Sequence, residues 1–234
     1  MTVEKFVTAL GITVSVYCIN HGSLALAIQW PESGRTCTIW VDPVANYYGN
    51  TVDYSSVPAA DVLLITHAHG DHLDKALAEE AIRGGALCLG SEEVAATLRE
   101  ASALPHHAPV KVAEGITVTA VPAYNQSPGH LKFHPQSRKD NGYVIDIEGY
   151  RIYVAGDTED IPEMENLKGS IDLAFLPVNQ PYTMTIPQAV HAARMIAPKA
   201  LIPYHLTDTD LTLLEDSLKA ALPEADLRIV PEFR

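Results

Sequence analysis

Thr66-His67-Ala68-His69-Gly70-Asp71-His72-Leu73-Asp74 follows directly on the apolar run Asp61-Val62-Leu63-Leu64-Ile65. That run is short, unbroken and rich in branched residues, which predicts a buried strand whose end delivers three imidazoles and two carboxylates into one loop. His67 and His69 are two residues apart, so in extended chain they point to the same side. Gly70 is expected to let the backbone turn and bring Asp71 and His72 back toward them. Four ligands can then face two adjacent cations, and imidazole nitrogen with carboxylate oxygen suits zinc, iron or manganese. A histidine-rich surface turn, with Asp71 or Asp74 capping the next helix, is the plainer alternative. Capping by Asp74 is expected in any case, because residues 75–83 are good helix formers that end at Gly84-Gly85. It does not account for three of ten histidines falling within six positions behind a buried strand, so a metal site is expected.

His67-Ala68-His69-Gly70-Asp71-His72 resembles the signature of the metallo-β-lactamase superfamily. The resemblance implies a four-layer αββα sandwich of two mixed sheets, with a dinuclear site at one edge. Asp42-Pro43, Ala155-Gly156-Asp157-Thr158 and Pro203-Tyr204-His205 fall in the order that superfamily uses, so the likeness spans nearly the whole chain. Asn20-His21-Gly22-Ser23 and Pro122-Ala123-Tyr124-Asn125 narrow it toward single-domain hydrolases similar to L-ascorbate-6-phosphate lactonase.

A chain of 234 residues buries roughly 70 to 75% of its unfolded surface and needs no covalent staple. With 47% hydrophobic and 19% charged residues it has the composition of an ordinary globular protein. Cys18, Cys37 and Cys88 are odd in number and set among apolar residues, which predicts buried free thiols in a reducing compartment. No run is long enough to span a bilayer, and Met1-Thr2-Val3-Glu4-Lys5 lacks a signal-peptide pattern, so a cytoplasmic location without membrane association is expected. The formal charge of -13 and the lack of any basic cluster longer than Arg138-Lys139 argue against a nucleic-acid partner. The expected partner is a small-molecule substrate, and self-association is left open.

Three strands are predicted over 12–19, 22–30 and 36–41, as an antiparallel meander. Strands at 61–66 and 86–89 then alternate with helices at 75–83 and 91–101. Strands at 109–113 and 115–122 lead into a long loop from Tyr124 to Asn141, and 143–147 with 151–155 make a hairpin about Glu148-Gly149. The last third has strands at 171–176, 200–203 and 227–230 and helices at 187–196 and 208–221. With no repeat or linker in view, 1–234 is expected to be one domain.

The other candidates lie far apart. Asp157 follows a predicted strand, and on its own an Asp-Thr turn would be the commoner explanation. The resemblance makes it the carboxylate bridging both metals, and makes His205 a ligand of the second. At the place where relatives carry a further histidine this chain has Asn125, a weak ligand for zinc. His134, nine residues on, could fold back to complete the first metal, or could contact substrate or be a plain loop residue. His21, in a hairpin turn, is placed by the resemblance near the pocket, as a metal ligand holder or a substrate contact. Asp42 is expected to orient a ligand imidazole through a hydrogen bond. Tyr182 and Tyr204 have polar ends suited to a polarised substrate oxygen.

Two divalent ions, zinc before manganese or iron, would share Asp157 and a solvent oxygen and lower the pKa of that water toward about 7. Asp71 would accept a proton from it or bind the second metal. No Gly-x-Ser-x-Gly elbow is present. The expected function is metal-dependent hydrolysis of a small ester, lactone or phosphoester. Nucleic-acid phosphodiesterase activity and a non-hydrolytic metal-binding role of the same fold are the alternatives.

Overall fold

The computed structural model describes residues 1–47 and 49–234. The chain opens as an antiparallel meander of β1 (Thr2–Val7), β2 (Thr13–Asn20), β3 (Ser23–Gln29) and β4 (Thr36–Val41). Along β2, Val14, Val16 and Cys18 are buried while Thr13, Ser15 and Tyr17 are half-buried, the period of two that turns one face to the core. A small hairpin of β5 (Asn46–Tyr47) and β6 (Asn50–Thr51) follows. Then β7 (Val62–Ile65), β8 (Leu87–Gly90) and β9 (Ser102–Ala103) extend the sheet in parallel from β4, with α1 (Lys75–Arg83) and α2 (Glu92–Thr97) between them. All four residues of β7 are buried, because a strand covered on both faces has no solvent side.

The second half repeats the plan. β10 (Pro109–Ala113), β11 (Ile116–Ala123), β12 (Asp140–Ile147) and β13 (Tyr150–Val154) are antiparallel neighbours. β14 (Leu173–Pro177), β15 (Ala200–Tyr204) and β16 (Asp226–Leu227) then add in parallel, alternating with α3 (Ile186–Ile196) and α4 (Leu211–Ala221). Val14, Leu26, Ile39 and Leu64 of the first sheet share one core with Val118, Ile145 and Ile152 of the second. On the other face of the first sheet, Trp40, Leu63 and Ile65 pack with Ala78 of α1 and Val94 of α2. α3 and α4 bury Ala192, Ala193, Leu214 and Leu218 alongside the second sheet. The layer order is the expected αββα, with both sheets mixed.

Several elements differ from the sequence expectation. Strand β1 was not anticipated; its alternating Thr2-to-Val7 segment gains its hydrogen bonds only by pairing along β2. The helix expected over 91–101 ends at Thr97, where Leu98 adopts an extended conformation to feed β9. The strand expected at 227–230 is cut to Asp226–Leu227, ahead of a 3-10 turn begun by Pro231. A further 3-10 helix, Pro162–Leu167, buries Met164 and Leu167 where no element was expected. The three cysteines are free and buried, and burial pushes the thiols of Cys18 and Cys88 up to about 12 and that of Cys37 to about 11. Among the described residues no helix is long and apolar enough to cross a membrane.

β2, β4 and β7 all end at one edge of the first sheet, and β13, β14 and β15 end opposite them. Cross-sheet hydrogen bonds close that edge: His205 N–H donates to His21 O (3.0 Å), Asn141 N–H to Thr66 O (3.0 Å) and Tyr143 O–H to Ile65 O (2.7 Å).

Candidate metal centre

Behind β7 the loop turns on itself through His72 N–H and Leu73 N–H, which donate to His69 O at 3.0 and 2.8 Å. Gly70 is not needed for this turn: its φ is not positive, and a Cβ there would meet nothing within 4 Å. The turn is closed by hydrogen bonding instead, which corrects the expectation placed on Gly70. Asp74 caps α1, accepting from Leu77 N–H at 3.2 Å. Gly156, at φ 67°, is indispensable by contrast, since a Cβ would lie 2.6 Å from Asn141 O. It lets the end of β13 approach β12 closely and set Asp157 among the histidines.

The fold gathers three overlapping groups whose ligand atoms lie within 4.8 Å of one another: His67, His69 and His134; His67, His72 and Asp157; and His21, Asp71, His72 and His205. Asp157 stands at the centre. Its carboxylate oxygens are 3.2 Å from His72 Nε2, 3.2 Å from His134 Nε2, 3.3 Å from His205 Nε2 and 3.9 Å from His67 Nε2. Asp71 Oδ2 lies 3.6 Å from His21 Nε2, 3.7 Å from His205 Nε2 and 3.9 Å from His72 Nε2. His134 therefore folds back beside His67 and His69, at the place Asn125 leaves without an imidazole.

The rings of His72, His67 and His134 are each held by a partner at Nδ1. Asp42 Oδ2 lies 2.7 Å from His72 Nδ1 and accepts from Thr66 O–H at 2.7 Å, while its Oδ1 accepts from Thr66 N–H at 2.7 Å. The Thr66 hydroxyl is 2.9 Å from His67 Nδ1, and Asp140 Oδ2 is 3.4 Å from His134 Nδ1. Such partners fix the tautomer and leave Nε2 for a ligand. The backbone is strained where it delivers these groups: His21, Asp42 and His205 have φ of 27°, 47° and 56°. Non-glycine residues in that region cost about 1–3 kcal/mol each and persist only where surrounding contacts hold them.

The donor set fits a metal ion. His67 Nε2, His72 Nε2, Asp157 Oδ1 and both ring nitrogens of His205 are buried without a hydrogen-bond partner, an expensive condition unless a cation receives them. Charges at the site are strongly coupled. Burial, then the neighbouring His72, holds His67 well below the ordinary histidine range, so it is neutral and able to ligate. For His72 burial acts downward, but the carboxylates of Asp157, Asp42 and Asp71 outweigh it and raise the ring well above its ordinary value. Burial would raise Asp157, yet His205, His72 and His134 hold it well below the usual carboxylate range. Protons here supply positive charge that a divalent ion would supply in their place.

His21 is buried, stacks on Tyr47 with centroids 4.1 Å apart, and lies 3.6 Å from the His205 ring. Burial and His205 lower it to about 4. Asn125 is a clasp: its Nδ2 donates to Tyr182 O (2.7 Å) and its N–H to His134 O (2.8 Å), fastening the His134 loop. Tyr182 lines the cavity and is 45% exposed. Tyr204 corrects the expectation of a substrate contact, because it is 0% exposed and packs against Phe175 and Phe233 in the core. Asp140, Thr66, Tyr47 and Phe133 were not foreseen; only Thr66, as the residue joining β7 to the histidine loop, had a positional signal.

Gly22 faces His72 so closely that a Cβ would stand 2.7 Å from its Cε1. Because His72 is fully buried and fixed by Asp42, Gly22→Ala is expected to displace the ring and weaken metal affinity about 10- to 100-fold, read by competition with a chromophoric chelator. Unchanged affinity would mean that the turn moves and the ring does not.

Residues 38–206 match the family model described as Beta-lactamase superfamily domain. A UPF0173 metal-dependent hydrolase of Thermococcus onnurineus is 36% identical over 154 residues, 62% of this chain and 66% of that protein, so the chain covers just under two thirds of its length. A UPF0173 metal-dependent hydrolase of Pyrococcus furiosus is 33% identical over 181 residues, 71% of this chain and 76% of that protein. A crystal structure from Parabacteroides distasonis, provisionally named a metal-dependent hydrolase, is 42% identical, covers 97% of each chain and has a TM-score of 0.86.

Proposed function

The chain belongs to the metallo-β-lactamase superfamily, in its UPF0173 family of metal-dependent hydrolases, and from that premise we propose that it cleaves a small ester, lactone or phosphoester at a paired metal site. The observation that carries this is the convergence of partnerless buried nitrogens and oxygens from His67, His72, Asp157 and His205 on one point at the sheet edge. His67, His69 and His134 would hold one ion, Asp71, His72 and His205 the other, with Asp157 shared and His21 beside the second. Zinc suits this nitrogen and oxygen set, as manganese and iron also do. Two bound cations would acidify water and polarise the scissile oxygen of the substrate.

The protein's own groups prepare that chemistry. Asp42, Thr66 and Asp140 orient the imidazoles, and Asp157 supplies the central negative charge. Asp71, whose side chain is 34% exposed, faces the cavity; burial would raise its carboxyl, but His72, His205 and His21 hold it well below the usual carboxylate range, so it stays charged as a ligand for the second ion. Lactones are included because the His21 turn and Asn125 resemble those of lactonase-like hydrolases. Free buried thiols suit a reducing cytoplasm.

Protein purified without added metal and analysed for elements is expected to carry about two divalent ions per chain after reconstitution. A screen of ester, lactone and phosphodiester substrates with zinc, manganese and iron restored singly is expected to give metal-dependent turnover. Only trace metal after reconstitution would sink the proposal.

A further inference from the structure

We infer, on top of the hydrolase reading above, that the cavity over this site selects an uncharged acyl substrate bearing a flat apolar or aromatic group, and discriminates against phosphorylated and polyanionic compounds. The cavity is about 560 Å³, enough for a small molecule, and none of the described residues lining it is Lys or Arg. Its charged lining comes from Asp71, Asp157 and Asp208, besides histidines. The three carboxylates would offset most of the charge of two divalent cations, and no lysine or arginine of the lining adds positive charge for a phosphate dianion. The overall charge of -13 adds a field that repels anions from the mouth.

Two nearby cations do not alter this balance. Arg138 approaches His69 Nε2 (2.9 Å) and His134 Nδ1 (3.0 Å), but its guanidinium is committed to Asp140 Oδ1 (2.8 Å) and Phe133 O (3.0 Å) and lies 3.6 Å from Glu93. Lys132 is exposed and sits over the Phe133 ring, 4.9 Å from its centroid, without lining the cavity. The apolar wall is built from Phe133 and Tyr182, which meet edge to face at 4.9 Å. Tyr182 is held in place through its carbonyl, which accepts from Asn125 Nδ2 at 2.7 Å, yet its side chain is 45% exposed. An exposed ring on an anchored backbone gives a planar ligand a surface to stack on at little cost in entropy.

The test uses the full chain loaded with zinc, and 4-nitrophenyl acetate, 4-nitrophenyl benzoate and 4-nitrophenyl phosphate, which share one leaving group. Turnover by the Asp157→Ala protein is subtracted as background. The carboxylic esters are expected to exceed the phosphate in kcat/KM by about 100-fold or more, the size of a like-charge mismatch in a binding site. Tyr182→Ala is expected to raise KM for the benzoate about tenfold, with a smaller effect on the acetate. A phosphate ester turned over as well as the carboxylic esters would overturn the charge preference, and an unchanged benzoate KM in Tyr182→Ala would overturn the aromatic wall. If the zinc-loaded protein turns over none of the three, the hydrolase reading fails for these ester classes and the preference is read from binding. Calorimetric titration with benzamide and phenyl phosphate then decides the charge preference alone: tighter benzamide supports it, and equal or tighter phenyl phosphate overturns it.

Discussion

Asp157→Ala is expected to abolish metal-dependent hydrolysis, lowering kcat/KM by at least about 100-fold, the lower range for loss of one preorganised electrostatic contact. The expectation follows from its position: one 2% exposed carboxylate stands within 3.3 Å of the Nε2 atoms of His72, His134 and His205. Removing it withdraws the carboxylate that the Nε2 atoms of all three imidazoles face, leaving them Asp42, Asp71 and Asp140 at their sides but no negative charge between them. Metal content, measured by elemental analysis after reconstitution, should fall together with activity. Asp157→Asn, nearly isosteric but neutral, separates charge from packing and should lose metal while keeping the native circular dichroism. A fully active Asp157→Ala protein with unchanged metal would assign Asp157 to a turn and nothing more.

His134→Ala is expected to empty one metal position and spare the other. His134 shares a ligand group with His67 and His69 only, whereas Asp71, His72 and His205 form theirs without it. The variant should therefore retain about one ion per chain of the two proposed, with the affinity of the weaker position reduced about 100-fold or more by loss of an imidazole ligand. Cobalt substitution followed by absorption titration resolves the two positions without reference to activity. If metal content holds while KM or kcat changes, His134 contacts substrate instead. Equal metal content and equal kinetics would reject both roles. Because His134 is 1% exposed, a thermal melt should accompany the titration, so that a general loss of folding is not read as loss of one ligand.

Much of this architecture was legible as pattern. The unbroken Val62-to-Ile65 run and the alternation from Thr13 to Cys18 report burial on two faces and on one, and the structure has them so. Asp74, expected as the N-cap of α1, caps it in the structure, whereas Ser91, expected inside the next helix, proves to be the N-cap of α2. Strand β1 and the short helix Pro162–Leu167 were not foreseen because each is stabilised by a neighbour. The former depends on its neighbour β2, and the latter contacts α3.

The sequence by itself determined the fold class and the local half of the site. Strand, turn and helix cap act within a few residues, so the approach of His67, His69, Asp71 and His72 to one another is written in their spacing. Only the tertiary structure decided the distal half. Whether His134 reached the pocket was a matter for a long loop whose closure has no periodic signature. It is settled by Glu159, whose buried carboxylate accepts from Gln126 N–H (2.9 Å) and Ser127 N–H (2.7 Å), and by Asn125 N–H bonding to His134 O. Asp140 became the partner of His134, and Tyr204 was sealed in the core while its neighbour His205 turned inward at φ 56°. These outcomes depend on contacts between segments remote in the chain, made favourable only once two sheets have closed on a common core, and no local pattern encodes them.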